Sequence, residues 1–301
     1  MKHTKILRAA ALLLCTITLL SLLPSCNSFE DTEYAIVSEG LVSGGFIYDK
    51  YENNTVRITG LENESALLEI PQQLDGMPVV EIAESAFEGN LKLVYLKIPE
   101  GKVKLGKRFC AGCEALVTVE LSGSVATIPV AAFEGCRNLS LISGLGELTE
   151  IGEQAFADCV SLNSLDLPST LSSIGTEAFR GCTSLPRIEL PEATAFIGEA
   201  AFWGCTSLSK AVINGSAAIP QYAFLNCISL AEISVGDGVE AIGEEAFRGC
   251  SALYTFKAGK NLKTVEDYAF HACDKLTEIS FAGNTDKITL GEGNESLGLG
   301  S

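Results

Sequence analysis

Histidine and tryptophan are almost missing from this 301-residue chain, which has two histidines and one tryptophan. His3 lies in the N-terminal segment, so His271 is the only imidazole in the remainder. A catalytic triad built on His271 would need a nucleophile and an orienting acid to converge on it. The chain also has no phosphate-binding glycine loop, no His-Glu-x-x-His and no Gly-x-Ser-x-Gly. We therefore predict that it is not an enzyme and holds no cofactor or metal, although its 38 acidic residues leave chance carboxylate pairs open.

Positive charge is also scarce. The chain has 21 lysines and arginines against 38 aspartates and glutamates, which gives a formal net charge of −17. Such a chain repels nucleic-acid phosphates and anionic lipid surfaces. We predict no nucleic-acid partner, whereas a basic patch on a protein partner could be attracted.

Long apolar runs are confined to the N-terminus. Lys2, Lys5 and Arg8 precede an uncharged run over residues 9–25. That run is shorter than the roughly 20 residues that a helix needs to span a membrane. A basic start, an apolar run and a small residue before the cleavage point are the features of a secretory signal. We predict a signal peptide over residues 1–25, whose removal would make the net charge three units more negative.

The sequence Leu-Pro-Ser directly before Cys26 resembles a lipoprotein box. This resemblance implies that Cys26 becomes a lipidated N-terminus that anchors the mature chain to a membrane. An ordinary cleaved signal followed by an unrelated cysteine is the alternative. Residues 26–34 would form a polar tether, in which Glu30, Asp31 and Glu33 resemble a surface-export tag or are simply solvated. The surface and the periplasmic side both stay open.

Nine phenylalanines recur at intervals of 22 to 24 residues. A period this regular indicates a solenoid, in which each coil packs against its neighbours because no coil can bury its apolar face alone. We predict about nine coils over residues 81–282, built around Phe87, Phe109, Phe133, Phe156, Phe179, Phe202, Phe224, Phe247 and Phe270.

The unit over residues 162–184 indicates how one coil is built. Leu165 and Leu167 alternate with polar residues, which predicts a half-buried strand. Pro168 should end that strand because it lacks a backbone donor. Gly175 marks a turn that requires either a positive φ or a close backbone approach.

Two units depart from this pattern. The unit around Phe109, KRFCAGCEAL, is interpreted as one residue longer than the other repeat units, which would explain the 24-residue interval between Phe109 and Phe133. The segment SLISGLGELT, residues 140–149, lacks the proline and places Gly144 where a strand residue is expected. We predict a bulge or a weakened strand there.

Cysteines form a second periodic column. Neighbours in such a column are one strand spacing apart with parallel Cβ vectors, whereas a disulfide needs Cβ atoms about 3.8 Å apart and zinc needs four ligands around one point. We predict buried free thiols that act as small apolar residues. Cys113 is interpreted as a displaced member of the column and Cys110 as incidental, with a disulfide between these two as the alternative. The regular members are Cys136, Cys159, Cys182, Cys205, Cys227, Cys250 and Cys273.

The repeated Ile-Gly-x-x-Ala-Phe-x-Gly-Cys-x-Ser-Leu resembles the BspA-like, or Treponema-type, leucine-rich repeats of bacterial surface proteins. The resemblance covers about residues 67–282. It implies a repeat solenoid: a right-handed leucine-rich-repeat coil with a parallel β-sheet on one face and short turns or 3-10 segments on the other. It also implies an N-terminal β-hairpin cap, residues 35–80, a closing tail, residues 283–301, and a role in adhesion or host-protein binding. A parallel β-helix of another family is the alternative fold.

Two surfaces could bind a partner. The first is the column directly after the repeat phenylalanines, which we call the stripe and define as Arg180, Trp203, Leu225, Arg248 and His271. Binding hot spots are enriched in tryptophan and arginine, so we predict that the stripe contacts a partner. Ordinary surface variation is the alternative. The second surface is the outward face of the strands, which is mixed in sign, poor in aromatic residues and therefore typical of a solvated face.

Two functional hypotheses follow. In the first, the chain is a lipid-anchored surface protein that binds a protein or glycan of a host or a neighbouring cell. In the second, it is a structural or assembly component of the envelope that binds a partner of its own cell.

Overall fold

The computed structural model describes residues 34–215, 218–283, 288–294 and 297, and a single compact unit begins at Ala35. The predicted signal peptide, Cys26 and nearly all of the tether lie outside the described residues, as does part of the predicted tail. Within the described ranges, no helix combines the length and the apolar composition of a membrane span.

The described part is built from 23 strands, the longest of eight residues. They are β1 (Ile36–Ser43), β2 (Phe46–Tyr51), β3 (Val56–Leu61), β4 (Leu67–Glu69), β5 (Gln73–Leu74), β6 (Met77–Ile82), β7 (Tyr95–Lys97), β8 (Lys104–Leu105), β9 (Thr118–Glu120), β10 (Thr127–Ile128), β11 (Leu141–Ser143), β12 (Glu150–Ile151), β13 (Ser173–Ile174), β14 (Arg187–Leu190), β15 (Phe196–Ile197), β16 (Lys210–Ile213), β17 (Ala218–Ile219), β18 (Glu232–Val235), β19 (Ala241–Ile242), β20 (Thr255–Ala258), β21 (Thr264–Val265), β22 (Glu278–Phe281) and β23 (Thr289–Leu290).

The first three strands form an antiparallel cap. Gly44 and Gly45 both have a positive φ, which suits the tight turn between β1 and β2. In β3, the buried Val56 and Ile58 alternate with Arg57, whose guanidinium pairs with Asp49 of β2 at 3.0 Å. β3 then pairs in parallel with β6, which joins the cap to the array. The predicted N-terminal hairpin cap is confirmed.

The coils stack through parallel strands in two columns. The longer strands form the sheets β4–β7–β9–β11 and β14–β16–β18–β20–β22, and the two-residue strands form the sheets β10–β12–β13–β15 and β17–β19–β21–β23. Along the second long sheet, Ile188 lies beside Ala211, which lies beside Ile233, so equivalent residues of successive coils point into the same core. The predicted leucine-rich-repeat solenoid is confirmed, with about ten turns.

The phenylalanine column forms the centre of the core. All nine predicted members are buried. From Phe133 to Phe270, neighbouring rings stack with centroids 5.0–5.5 Å apart. Stacked aromatic pairs contribute roughly 0.5–1.5 kcal/mol beyond the area that they bury. The column therefore couples each coil to both of its neighbours.

The extra residue predicted near Phe109 is wrong. The backbone N–H of Phe87 donates to Phe109 O at 2.8 Å, and that of Cys110 donates to Ala132 O at 3.1 Å. Phe87, Cys110 and Phe133 therefore occupy the same position in three coils that are each 23 residues long. Phe109 takes the place of the repeat alanine, and its ring meets Phe133 edge-on at 70°. A Phe-Cys pair has replaced Ala-Phe without any insertion.

The strand predicted at Leu165 and Leu167 is also wrong. No strand is assigned on this face between β11 and β14 in the described chain, and both leucines are only half-buried. The cause lies one coil earlier, where β11 ends and Gly144 has a φ of 79°. A Cβ at Gly144 would collide with the carbonyl oxygen of Leu121, so this turn out of the ladder requires glycine. β11 itself pairs with β9 without a register shift, so no bulge is present at residues 140–149, and the strand that is missing is that of the following coil.

Close approach, not a positive φ, explains Gly175. A Cβ on Gly175 would overlap the backbone nitrogen of Glu153 in the preceding coil. The left-handed residues of this coil are instead Glu177, with a φ of 54°, and Gly181, with a φ of 72°. These two residues bend the chain on either side of Phe179.

Candidate partner-binding surface

The stripe lies on turns that are joined by backbone hydrogen bonds. The N–H of Gly181 donates to Trp203 O at 2.8 Å, and the N–H of Gly204 donates to Leu225 O at 2.8 Å. The same bond links Asn226 to Arg248 O at 2.9 Å, and equivalent bonds reach Arg180 O and His271 O. The structure therefore brings all five predicted residues into one row, with neighbours about one strand spacing of 4.8 Å apart.

The arginines of the stripe are neutralised by acids of their own or the preceding coil. Arg180 lies 3.0 Å from Asp158 and 2.9 Å from Glu177, and Arg248 lies 2.8 Å from Glu245. The hydrogen bond from Arg248 to Glu245 raises the pKa of that guanidinium. The stripe therefore carries ion pairs, and neither arginine adds an unpaired positive charge to it.

Two apolar side chains fill the middle of the stripe. Trp203 is 39% exposed although Phe202, directly before it, is fully buried. Leu225, one coil further along, is half-buried. An apolar centre between polar, charged edges is the arrangement of a protein interface. The row thus has an aromatic anchor flanked by the ion pairs of Arg180 and Arg248.

The far end of the stripe holds an aromatic residue that the sequence did not single out. His271 is exposed, and its ring meets that of Tyr268 edge-on with centroids 5.8 Å apart. Tyr268 has a φ of 56°, the same left-handed position as Glu177 and Glu245 in earlier coils. Its place beside the stripe depends on that turn geometry, which residue spacing does not reveal.

On the outward face of the second long sheet, polar side chains of neighbouring strands pair with one another. Glu232 lies 3.2 Å from Lys210 and 2.9 Å from Lys257, which sit in the neighbouring strands. The hydrogen bond from Lys257, followed by that from Lys210, lowers the pKa of the Glu232 carboxyl. Thr255 Oγ1 donates to Glu278 at 3.0 Å. These contacts agree with the interpretation of a solvated face.

The outward face of the first long sheet is more apolar than the sequence suggested. Leu67 of β4 and Leu141 of β11 are exposed on its two edge strands. Val94 and Val117, which directly precede β7 and β9, are also exposed. Apolar residues at outward strand positions were the signal that could have identified this patch.

The cysteine column consists of buried free thiols, as predicted. Each ladder thiol also donates a hydrogen bond to a carbonyl of the preceding coil, as Cys205 Sγ does to Phe179 O at 3.2 Å. Burial raises the pKa of Cys205 to about 12. Cys113 donates to Phe87 O at 3.1 Å, so it is a regular ladder member, and Cys110 is a separate free thiol. The free, buried cysteines are Cys110, Cys113, Cys136, Cys159, Cys182, Cys205, Cys227, Cys250 and Cys273.

Metal-binding side chains do not converge among the residues that the structure describes. His271 lies exposed on the stripe rather than in a cleft. Within the described ranges, no group of three or more histidine, cysteine or acidic side chains could hold a metal ion.

Comparison with known proteins agrees with this architecture. A model of the BspA type leucine-rich repeat region matches residues 68–162 and 217–291 in six copies. The crystal structure of a T. pallidum leucine-rich repeat protein, TpLRR, is 28% identical, with a TM-score of 0.53 over 74% of this chain and 99% of that chain. The pneumococcal vaccine antigen PcpA is 19% identical, with a TM-score of 0.52 over 84% of this chain and 82% of that chain. A comparison with curated proteins found no match.

The fold is that of a leucine-rich-repeat solenoid, a class of protein that generally serves as a binding scaffold and not as an enzyme. The matched repeats cover more than half of the chain. This chain therefore belongs to the BspA type leucine-rich repeat family.

Proposed function

We propose that this chain is an exported, lipid-anchored protein that binds a protein or glycan partner at the bacterial cell surface through the stripe. The observation that carries this proposal is the exposed Trp203 beside Leu225, set between the ion pairs of Arg180 and Arg248. Tryptophan and arginine are the residues that most often dominate binding energy. The acidic composition favours a partner with a basic surface around its contact.

Cys26 is proposed as the lipidated residue because it directly follows the predicted signal peptide. A single acyl chain holds a protein only weakly, whereas two or more anchor it stably. The anchor would leave the repeat array free to meet partners outside the cytoplasm.

The stripe is tested by replacing Trp203 with alanine. The purified protein is first screened against host matrix proteins and envelope fractions of its own cell, and the affinity of each binder is then measured. Trp203→Ala should weaken the tightest interaction about 30-fold or more, the effect of losing a hot spot of roughly 2 kcal/mol. Arg248→Ala should weaken it less, because the exposed guanidinium is already paired with Glu245 in the free protein.

Tyr254→Ala is the matched control, because Tyr254 is an exposed aromatic residue beside the strand face. It should leave the affinity unchanged. Full binding by Trp203→Ala, with the circular dichroism spectrum intact, would remove the stripe from the proposal.

The location is tested on intact cells with added protease. Surface display predicts that protease removes the protein. The lipid anchor predicts that Cys26→Ser releases the protein from the membrane fraction. Protection from protease would instead favour the second hypothesis, an envelope component that binds a partner of its own cell. Membrane association that survives Cys26→Ser would contradict the anchor.

A further inference from the structure

The long sheet is interrupted in the middle of the array. β11 and β14 belong to different sheets, and the coil between them has no strand on this face. A cleft of about 350 Å³ opens there, lined by residues 163–166 on one wall and by Leu185, Pro186 and Arg187 on the other. The two-residue strands on the other face continue through this coil, because β13 pairs with both β12 and β15. The break is therefore confined to one side of the solenoid.

Both walls of the cleft lack backbone partners that other coils possess. In earlier coils, the N–H of Thr118 donates to Val94 O and that of Leu141 donates to Val117 O, each at 3.2 Å. Arg187 stands at the same position, yet within the described chain its N–H reaches no carbonyl of the preceding coil.

A carbonyl group of β14 also lacks the hydrogen-bond partner that its equivalent has in an earlier coil. Leu121 N–H donates to Ser143 O at 2.9 Å, whereas Leu167 N–H makes no such bond to Glu189 O, its equivalent partner. The described backbone of residues 163–167 makes no hydrogen bond to either neighbouring coil.

The unpaired segment has moved outward from its expected place. Leu165 and Leu167 are half-buried, whereas their equivalents Ile188 and Leu190 in the next coil are buried. Backbone donors and acceptors removed from water are normally paired with another chain segment or with ordered water. The cleft thus presents an edge of β14 that no strand covers in the described part of the chain.

We propose that this break accepts an extended segment of a partner protein, which adds to β14 as a parallel strand. The N–H of Arg187 and the carbonyl oxygen of Glu189 point toward the position that a neighbouring parallel strand would occupy. An extended backbone, with its alternating carbonyl and amide groups, would pair with both. Leu165, which lines the cleft and is only half-buried, supplies an apolar contact for a side chain of the incoming strand. The site rests on the proposed binding function but not on the stripe, which lies on different turns.

The length of the accepted segment follows from β14. Its four residues, Arg187–Leu190, offer an edge of about 13 Å at roughly 3.3 Å per residue. A segment of four to five residues in the extended conformation therefore matches the edge. The repeat's own strands meet this requirement, since β18 already pairs in parallel on both of its sides.

The test uses a synthetic peptide with the sequence of residues 229–236, SLAEISVG, which contains β18. Backbone amide NMR of the whole protein should show dose-dependent shifts at Arg187, Leu167 and their neighbours. A peptide N-methylated at the residues equivalent to Glu232, Ile233 and Ser234 loses its backbone donors and should bind at least tenfold more weakly. Trp203→Ala should bind the peptide normally, which separates this site from the stripe.

A second variant closes the cleft. The double substitution Gly144→Leu with Leu145→Pro gives this coil the Leu-Pro pair of the following coil, Leu167-Pro168, and should pair residues 163–167 as a strand. Peptide shifts should then vanish while the folded spectrum remains. The proposal is overturned if the methylated peptide causes equal shifts, if shifts appear only at the edge of β22 that no strand covers in the described residues, or if millimolar peptide causes none at Arg187. If the double variant does not fold, the comparison of the two peptides on the wild-type protein decides.

Discussion

Truncation of Phe202 to alanine should lower the free energy of unfolding by about 3–5 kcal/mol, the usual cost of removing a buried phenylalanine. The ring of Phe202 is fully buried and stacks on Phe179 at 5.4 Å and on Phe224 at 5.0 Å. In a solenoid, stability is a sum of coil terms and nearest-neighbour terms, so this one change weakens two interfaces. Urea denaturation followed by circular dichroism measures the loss.

The chain provides a matched control six residues earlier. Phe196 lies in β15 but is 56% exposed, so Phe196→Ala should change the unfolding free energy by less than about 0.5 kcal/mol. Both variants remove the same atoms, and only burial differs between them. Equal losses for Phe196→Ala and Phe202→Ala would contradict the assignment of the phenylalanine column to the core.

Alkaline pH should destabilise the protein through its thiol column. Burial raises the pKa of Cys205 from its ordinary value of 9.0 to about 12 in the fold. The contribution of the Cys205 thiol to the free energy of unfolding is complete below pH 9, where the thiol is protonated in both the folded and the unfolded state. It is lost as the pH rises toward 12, because the thiol of the unfolded chain ionises first. At roughly 1.4 kcal/mol per pH unit, Cys205 alone accounts for about 3 kcal/mol at pH 11.

Single substitution isolates this contribution from the titration of tyrosine and lysine. Cys205→Ala should lose about 3 kcal/mol less stability than the wild type between pH 8 and pH 11. Its stability at pH 8 is expected to be lower, because the hydrogen bond to Phe179 O is gone. Ser207→Ala removes no titrating group and should follow the wild-type pH dependence. Parallel pH curves for Cys205→Ala and the wild type would contradict the buried thiol.

The solenoid was predictable because its signal is repeated in every coil. A buried phenylalanine, a thiol and the alternating strand residues recur with one period, and each repetition supports the same interpretation. The register near Phe109 was misread because the phenylalanines alone were counted. The interval from Cys113 to Cys136 is 23 residues and already indicated that nothing was inserted.

The cleft could not be predicted from its own coil. Residues 162–184 match the repeat pattern well, yet Leu165 and Leu167 form no strand. The determinant is the neighbouring Gly144, whose positive φ turns the preceding coil away from the ladder. In a stacked array, the conformation of one coil depends on the hydrogen-bonding edge that its neighbour presents. A pattern read one coil at a time does not contain that information.

The ion pairs of the stripe also depend on turn geometry that the sequence does not show. The sequence correctly grouped its five residues, because a fixed period places them in one column. It missed the neutralisation of Arg180 by Asp158 of the preceding coil and by Glu177 of its own coil. The acids were visible in the sequence, but only the left-handed turns direct them toward the guanidinium.

The most direct test of the stacked core is the alkylation of its cysteines in the native protein. Iodoacetamide at pH 8, followed by mass spectrometry of peptides, reports each thiol separately. Stacking of the coils predicts that the nine cysteines from Cys110 to Cys273 stay unmodified until the protein is unfolded, after which all nine react. Rapid modification of several of them in the folded protein, or a disulfide between Cys110 and Cys113, would contradict the continuous core.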